Sequence, residues 1–317
     1  MKSDKLITTA EDLLTSRDET RAGFIAMALE KNYLATKYVS EARTLKAIAE
    51  SAGKPKDLLT LPDIQKALLS ASGLSDKSLK HLNEADKRTA VVGLIETFLE
   101  PAGEGFPDEL VYRYLLTKGD ALGGSSRNLA GALGDRRFLS CMISVFSLAG
   151  VEFSWRDRKT KVWAKGTDLE AGLEKSISAL YWKKKDRDRL LVLNTTVPLI
   201  RKNVDLVILD AKPDDMKAGK SLFEQNTRYV ALGELKGGID PAGSDEHWKT
   251  ANFALNRVRS SFQGLGLNPP TFFIGAAIEK SMAGEILQQL NSKVLSQAAN
   301  LTKDDQLTSV CNWIMNL

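Results

Sequence analysis

Val204-Asp205-Leu206-Val207-Ile208-Leu209 and Tyr229-Val230-Ala231-Leu232-Gly233-Glu234-Leu235-Lys236-Gly237-Gly238 are two short apolar runs, each β-prone and bounded by turn formers. Both read as strands. Each is apolar on both faces, the pattern of a central strand covered on either side. One Asp, one Glu and one Lys interrupt these runs, and charged residues are almost never buried unpaired. An antiparallel pairing with Leu209 opposite Val230 sets Asp205 opposite Glu234. Side chains alternate along a strand, so Glu234 and Lys236 share a face and Leu235 takes the other. Two carboxylates and one ammonium then meet at one end of a sheet.

Those residue types suit phosphodiester hydrolysis assisted by a divalent ion. Two carboxylates hold Mg²⁺ through a few oxygens and leave positions for water and a substrate phosphate. The ion polarises a phosphoryl oxygen and lowers the pKa of a bound water. Lys236 is placed to orient that water or to offset charge at phosphorus. From the residues alone the alternative is a buried Glu–Lys–Asp salt bridge without catalytic use.

The rest of the chain sets the surroundings. Its 317 residues can build one large or two modest domains with real cores. A hydrophobic content of 43% and a charged content of 26% describe an ordinary soluble protein. No apolar run approaches a membrane span and no signal-peptide core opens the chain, so a cytoplasmic location is expected. Cys141 and Cys311 sit in apolar helical contexts and read as small packed hydrophobes rather than a bridge. The net charge of +4 is unevenly spread: residues 155–189 carry eleven Lys or Arg against six Asp or Glu. Trp155, Trp163 and Trp182 are interleaved there, and Arg201-Lys202 follow just before Asp205. A basic strip leading to a carboxylate site suits a polyanion such as DNA; a solvated hairpin and helix face is the other reading.

Helical periodicity dominates residues 8–105, with breaks at Gly53-Lys54-Pro55, Leu61-Pro62 and Pro101-Ala102-Gly103. A helix over 108–116 ends near Gly119, and Gly123-Gly124-Ser125 reads as a turn and cap before a helix to Leu148. Beyond it the pattern predicts strands at 151–155 and 161–164, a helix at 168–180 and a strand at 190–196. The two quoted strands follow, joined by a polar loop over 210–228. A helix over 244–263, a strand over 271–278 and helices at 282–297 and 304–315 complete the chain. The fold class is therefore α/β (α+β): a mixed-sheet core flanked by helices, with an additional all-α lobe. The expected division is 1–118 for the helical lobe and 119–317 for the catalytic domain.

Other patterns carry less. Gly219-Lys220-Ser221 has the tail of a phosphate-binding loop, but residue 214 is Asp rather than Gly and no helix is expected to follow. With only His81 and His247 there is no zinc-type cluster and no basis for Cys–His catalysis. His247 is placed in the first turn of the 244–263 helix, after the turn Asp240–Gly243. It shares a helical stripe with Ala251, Leu255, Val258 and Phe262, so it should look toward the sheet and its carboxylates. A neutral imidazole there could take a proton from water; a hydrogen-bonded core or DNA-contacting histidine is the other reading.

Asp205 followed by Glu234-Leu235-Lys236 resembles the PD-(D/E)XK nuclease motif, with Asn203-Val204 where a proline often stands. The string from Gly233 to Thr250 resembles the AvaI/BsoBI type II restriction endonucleases. So do Arg21–Ala26, Gly119–Gly124 with Arg127-Asn128, and Phe273–Glu279, in order along nearly the whole chain. The resemblance implies a restriction-endonuclease-like core and a helical arm that helps surround the duplex. It implies a metal site at Asp205, Glu234 and Leu235, and catalytic roles for Asp205, Glu234, Lys236 and His247. Asp240 would accept from cytosine N4, while Lys77 and Lys202 would donate to guanine. A simple Asp-Pro turn and a solvated helix start are the plainer readings of Asp240 and Lys77.

The resemblance further implies Mg²⁺ dependence, a homodimer on double-stranded DNA, the target CYCGRG cut after its first C, 5′-phosphate ends, and a cognate DNA methyltransferase in the same system. Two other readings stay open on the residues alone. One is a structure-selective repair or junction-resolving nuclease of the same fold. The other is a non-catalytic helical DNA-binding protein.

Overall fold

The computed structural model describes residues 6–317 apart from 125, 169 and 171. Among these residues the strands form one eight-stranded mixed sheet in the order β2-β1-β3-β4-β5-β6-β7-β8. They are β1 (Phe153–Asp157), β2 (Trp163–Lys165), β3 (Ile177–Lys184), β4 (Arg187–Val197), β5 (Lys202–Leu209), β6 (Tyr229–Lys236), β7 (Thr271–Gly275) and β8 (Gln297–Asn300). Pairings from β2 through β6 are antiparallel, and β6, β7 and β8 run parallel. Parallel neighbours need crossovers. Two helices supply them, spanning Ser244–Gln263 and Lys280–Asn291.

The helices are α1 (Arg17–Glu50), α2 (Gln65–Ala71), α3 (Glu84–Leu94), α4 (Phe106–Gly124), α5 (Ser126–Leu148), α6 (Lys220–Glu224), α7 (Ser244–Gln263), α8 (Lys280–Asn291) and α9 (Asp304–Asn316). The chain divides into two compact units, Ile25–Arg127 and the residues up to Phe24 together with Asn128–Leu317. The first is helical and buries Leu45, Leu58, Leu68, Val91, Leu94, Leu99 and Leu110 in one core. The second holds the sheet.

Residues ahead of Ile25, expected with the helical lobe, belong with the sheet for a visible reason. Leu13 is fully buried among Trp248, Phe273 and Met282. Thr15 Oγ1 donates to the Ala276 carbonyl at 2.8 Å and accepts from the Ile278 amide at 2.9 Å.

β5 is a central strand covered on both faces: Val204, Leu206, Val207, Ile208 and Leu209 are all fully buried. Val258 and Phe262 of α7 pack with Val204, Leu209 and Leu232. Trp248, Ala251 and Leu255 of the same helix pack with Phe273 and Met282.

Several expectations need correction. Among the described residues of 168–180 no α-helix forms; short turns lead into β3, because Ile177, Ala179, Leu180 and Trp182 find partners in β1 and β4 that outweigh local helical preference. The helix expected over 282–297 ends at Asn291, and Gln297–Asn300 becomes the parallel edge strand β8. The strand expected over 271–278 stops at Gly275. A short helix, α6, does follow Gly219. The helix expected to end near Gly119 continues to Gly124, and the cap expected at Ser125 lies outside the described residues. Trp155 and Trp182 are core residues rather than a stacking surface, and the Trp182 indole donates to the Met315 carbonyl at 3.1 Å.

One backbone approach fixes α5 against the end of β6. A Cβ on Gly237 would lie 2.5 Å from the Ala130 carbonyl oxygen and 2.9 Å from Gly134 Cα. A Cβ on Gly134 would lie 2.7 Å from Gly237 Cα. Both neighbours are backbone and cannot swing away. Gly237→Ala should therefore destabilise by about 1–3 kcal/mol, the usual cost of overpacking. Gly284→Ala, in α8 with nothing within 4 Å of its added methyl, should instead stabilise by about 0.5–1 kcal/mol. Thermal melts of the two variants check this. A Gly237→Ala melt matching wild type would show that the helix can move off the strand.

Candidate active site

The β5–β6 ladder pairs Leu206 with Gly233, Val207 with Leu232 and Ile208 with Ala231. This is the register of the sequence reading until Ile208/Leu209, where a bulge pairs Leu209 with Tyr229. One step past Leu206–Gly233, the same register sets Asp205 across from Glu234. The Lys236 ammonium donates to Asp205 Oδ2 at 2.8 Å and to Glu234 Oε2 at 2.6 Å. The Leu235 amide donates to Asp205 Oδ2 at 3.0 Å, which locks the carboxylate to the neighbouring strand. Glu234 is 4% exposed inside the sheet. Gly233 makes room for the Phe272 ring, which a Cβ would meet at 2.4 Å.

Burial, and then the charge of Asp205, push the Glu234 carboxyl well above the usual carboxylate range against the pull of Lys236. Burial also works against the Lys236 charge, but Glu234 and then Asp205 outweigh it and hold the ammonium above its ordinary value. The cluster is therefore short of positive charge. Replacing such a buried ionic group with apolar residues is often neutral or stabilising, so fold stability gives no reason to keep it.

The donor set fits a hard divalent cation. Two carboxylates converge where one ammonium now bridges them, and oxygen ligands of this kind hold Mg²⁺ with several waters retained. Among the described residues no group of three or more His, Cys, Asp or Glu side chains converges as a metal cage. The site is thus a two-carboxylate one, beside the backbone of Leu235.

His247 lies in the first turn of α7, half-buried, with its ring against Gly238; a Cβ there would lie 2.6 Å from the imidazole Cε1. The inward stripe of α7 is Ser244, Trp248, Ala251, Leu255, Val258 and Phe262. His247 flanks that stripe rather than continuing it, because Trp248 takes the buried position. Among the described residues it makes no hydrogen bond to Asp205 or Glu234. Its ring nonetheless packs on the segment that leaves β6 immediately after Lys236.

Asp240 is exposed and accepts from the Ala242 amide at 3.0 Å, capping the turn before α7. Lys202 is exposed at the start of β5. Lys77 is exposed on the helical unit beside the Ser75–Ser78 hydrogen-bonded turn.

Two nearby groups escaped the sequence reading. Asp135 on α5 accepts from Asn194 Nδ2 at 3.1 Å. Asn194 sits in β4 with φ of 50° between the pairs Leu193–Leu206 and Thr195–Val204, and so opposite Asp205. An asparagine inside a strand run was the one visible signal, since asparagine is depleted in strands and tolerates the left-handed region. Asp135 left none, because only the Gly134–Gly237 approach brings it here.

The raised Glu234 pKa has a consequence for stability without added metal. A carboxyl raised on folding contributes stability below its unfolded pKa, and that contribution is lost as pH rises through the folded value. Glu234→Gln should therefore melt higher than wild type in EDTA, and the gap should widen by a few degrees from pH 5 to pH 8. A gap that narrows with pH would mean Lys236 dominates and the sign is wrong.

Comparison with known proteins agrees along the length of the chain. The family model described as "Restriction endonuclease BsobI" matches residues 3–317. The type II restriction enzyme AvaI of Nostoc sp. (strain PCC 7120) is 49% identical over 311 residues, covering 98% of both chains. AvaI of Anabaena variabilis matches to the same extent. The type II restriction enzyme BsoBI of Geobacillus stearothermophilus is 50% identical over 314 residues, covering 98% of this chain and 97% of its own.

Proposed function

The chain belongs to the BsobI restriction endonuclease family, and we propose that it is a homodimeric, Mg²⁺-dependent PD-(D/E)XK enzyme that cuts both strands of double-stranded DNA at a short palindrome. The family resemblance supplies the target CYCGRG, cut after its first C, and a cognate DNA methyltransferase that would protect the same site in the host. The observation carrying the chemistry is the convergence of Asp205, Glu234 and Lys236 at the β5–β6 ladder.

Asp205 and Glu234, with the backbone of Leu235, are the residues that would hold the divalent ion. When bound, the ion polarises a phosphoryl oxygen and acidifies a water. Lys236 would then turn from bridging the carboxylates to holding the attacking water or offsetting charge at phosphorus. In-line attack by that water, with the 3′ oxygen leaving, gives a 5′-phosphate. His247, against Gly238, is placed to receive the proton. Lys202, Asp240 and Lys77 are the base-reading candidates; their hydrogen-bonding types suit guanine and cytosine edges.

A palindrome presents two equivalent half-sites, which a two-fold dimer matches. The long helix α1 supports this reading. All its buried residues lie at or beyond Ala42, while Ile25, Leu29 and Tyr33, at i,i+4 spacing, are 61%, 66% and 69% exposed. A helix gains most of its stability from burying an apolar face. A second copy of the chain is the occupant that a symmetric enzyme provides for this one.

Plasmid digestion with and without EDTA, followed by sequencing of fragment ends, is the direct test. Discrete fragments with 5′-phosphates at CYCGRG, lost in EDTA, are expected. Glu234→Ala should abolish cutting while duplex binding survives, because phosphate and base contacts lie elsewhere. Cutting at random or structure-dependent positions, or an active Glu234→Ala, would sink this reading.

For His247, the Ala variant should lose about 10²–10⁴-fold in single-turnover cleavage, with a flattened acid limb in its pH–rate profile. Weak binding with a normal rate at saturation would make it a DNA contact instead.

A further inference from the structure

Outside the Asp205–Glu234–Lys236 cluster, one more charged pair reaches the same end of the sheet. Arg158 follows β1; its amide donates to the Ser176 carbonyl at 2.6 Å and its Nη2 to the Ile177 carbonyl at 3.1 Å. That Nη2 lies 4.0 Å from Asp135 Oδ2. The Asp135 side chain is 19% exposed and that of Arg158 is 46% exposed. The guanidinium is anchored through Nη2, while Nε and Nη1 keep their N–H groups free of protein acceptors among the described residues.

Asp135 links this arginine to the cleavage cluster. The charges of Arg158, Asp205 and Lys236 all act on its carboxyl, which burial raises. Through Asn194 it also holds the β4 residue opposite Asp205. Its own position follows from the Gly134–Gly237 approach one residue away. Other members of the basic strip are engaged differently. Arg156 Nε donates to the Lys161 carbonyl at 3.3 Å, and Arg189 donates to the Leu317 carbonyl at 2.7 Å. Among the described residues Arg158 is the strip member whose guanidinium reaches Asp135.

We propose that Arg158 contacts a phosphate of the strand being cut, and that Asp135 is a positioning residue that aims its guanidinium there. This rests on the reading of Asp205, Glu234 and Lys236 as the cleavage centre. A guanidinium held through Nη2 still offers planar, fixed N–H donors on Nε and Nη1 to phosphate oxygens, a directed donor set that an ammonium cannot reproduce. At the same end of the sheet as two carboxylates that would otherwise repel the DNA backbone, and linked to them through Asp135 and Asn194, it would supply positive charge to the strand being cut. Asp135 is worth its burial because an arginine anchored in advance loses less freedom when the phosphate arrives.

The test measures single-turnover cleavage of a cognate duplex, duplex affinity against salt, and thermal midpoint. The proteins are wild type, Arg158→Ala, Arg158→Lys, Asp135→Asn and the double variant Asp135→Asn/Arg158→Ala, with Glu234→Ala as reference. Arg158→Ala should slow cleavage on the order of 10²-fold, the usual cost of one lost charge-stabilising donor. It should also flatten the log affinity–log salt slope by about one contact. Arg158→Lys should restore the slope but not the rate, a split that loss of folding cannot mimic. Asp135→Asn should slow cleavage roughly tenfold with the slope unchanged, and the double variant should be no slower than Arg158→Ala.

A wild-type rate in Arg158→Ala overturns the proposal, whether or not the slope changes. Multiplying losses in the double variant overturn the positioning role of Asp135. If Glu234→Ala itself cuts normally, the cleavage centre has been misplaced and the failure lies there instead.

Discussion

The antiparallel ladder between β5 and β6 is the constraint on which the site depends. A register slip of one residue would turn every side chain on one strand to the opposite face. Fully buried residues on both sides of β5 make such a slip costly, since apolar contacts would be lost above and below the sheet at once. The ladder that sets Leu206 against Gly233 therefore also sets Asp205 against Glu234. The Leu235 amide then ties the Asp205 carboxylate across the two strands. Packing energy in the strand interiors is what holds the charges at their ends in place.

Those charges oppose the packing that positions them. Glu234 is nearly buried, close to a second carboxylate, and among the described residues its close cation is a lysine that Asp205 shares. The cluster would cost the fold less if it were apolar. Its arrangement makes sense as preorganisation: desolvated carboxylates held near one another gain from a divalent cation what they lose without one. Among the described residues Lys236 is the positive charge that the two carboxylates share. The same logic extends one layer out, where Asp135 is held between an arginine and an asparagine at the back of the site.

Central strands declare themselves by composition, which is why β5, β6 and the charges within them were legible before any coordinates. The α7 helix was legible too, because its apolar spacing is strong and it begins at a turn former. Residues 168–180 misled because Ile177–Trp182 carries no alternation that distinguishes a strand from a buried helix turn; partners in β1 and β4 decide it. β8 was hidden for a related reason. Four residues, Gln297–Asn300, become a strand only because β7 offers a parallel edge. His247 was placed correctly in its turn but one helical position off the buried stripe, since helical spacing gives a face and not which of two adjacent residues, His247 or Trp248, fills it. Asp135 could not be read at all, and Arg158 only as one of the basic residues of the 155–189 strip. Each depends on a contact between segments distant in sequence, and the glycine pair that permits it leaves no periodic trace.

The residues proposed for cleavage and for base readout make different physical demands on the chain. Asp205, Glu234 and Lys236 sit on neighbouring strands of one sheet, and α5 is held against the end of β6 by the Gly134–Gly237 backbone approach. Sequence readout demands reach along a groove, and the residues suggested for it are drawn from loops and from a second unit with its own core: Asp240 caps a turn, Lys202 opens a strand, and Lys77 lies on the helical unit. Exposed, singly charged side chains on short connections can follow a base edge without disturbing the carboxylates. Tight packing and freely presented polar groups are opposite demands on a polypeptide, and β5 meets both along its own length: Lys202 is exposed at its first residue, while Asp205 lies three residues on, where the strand enters the buried sheet.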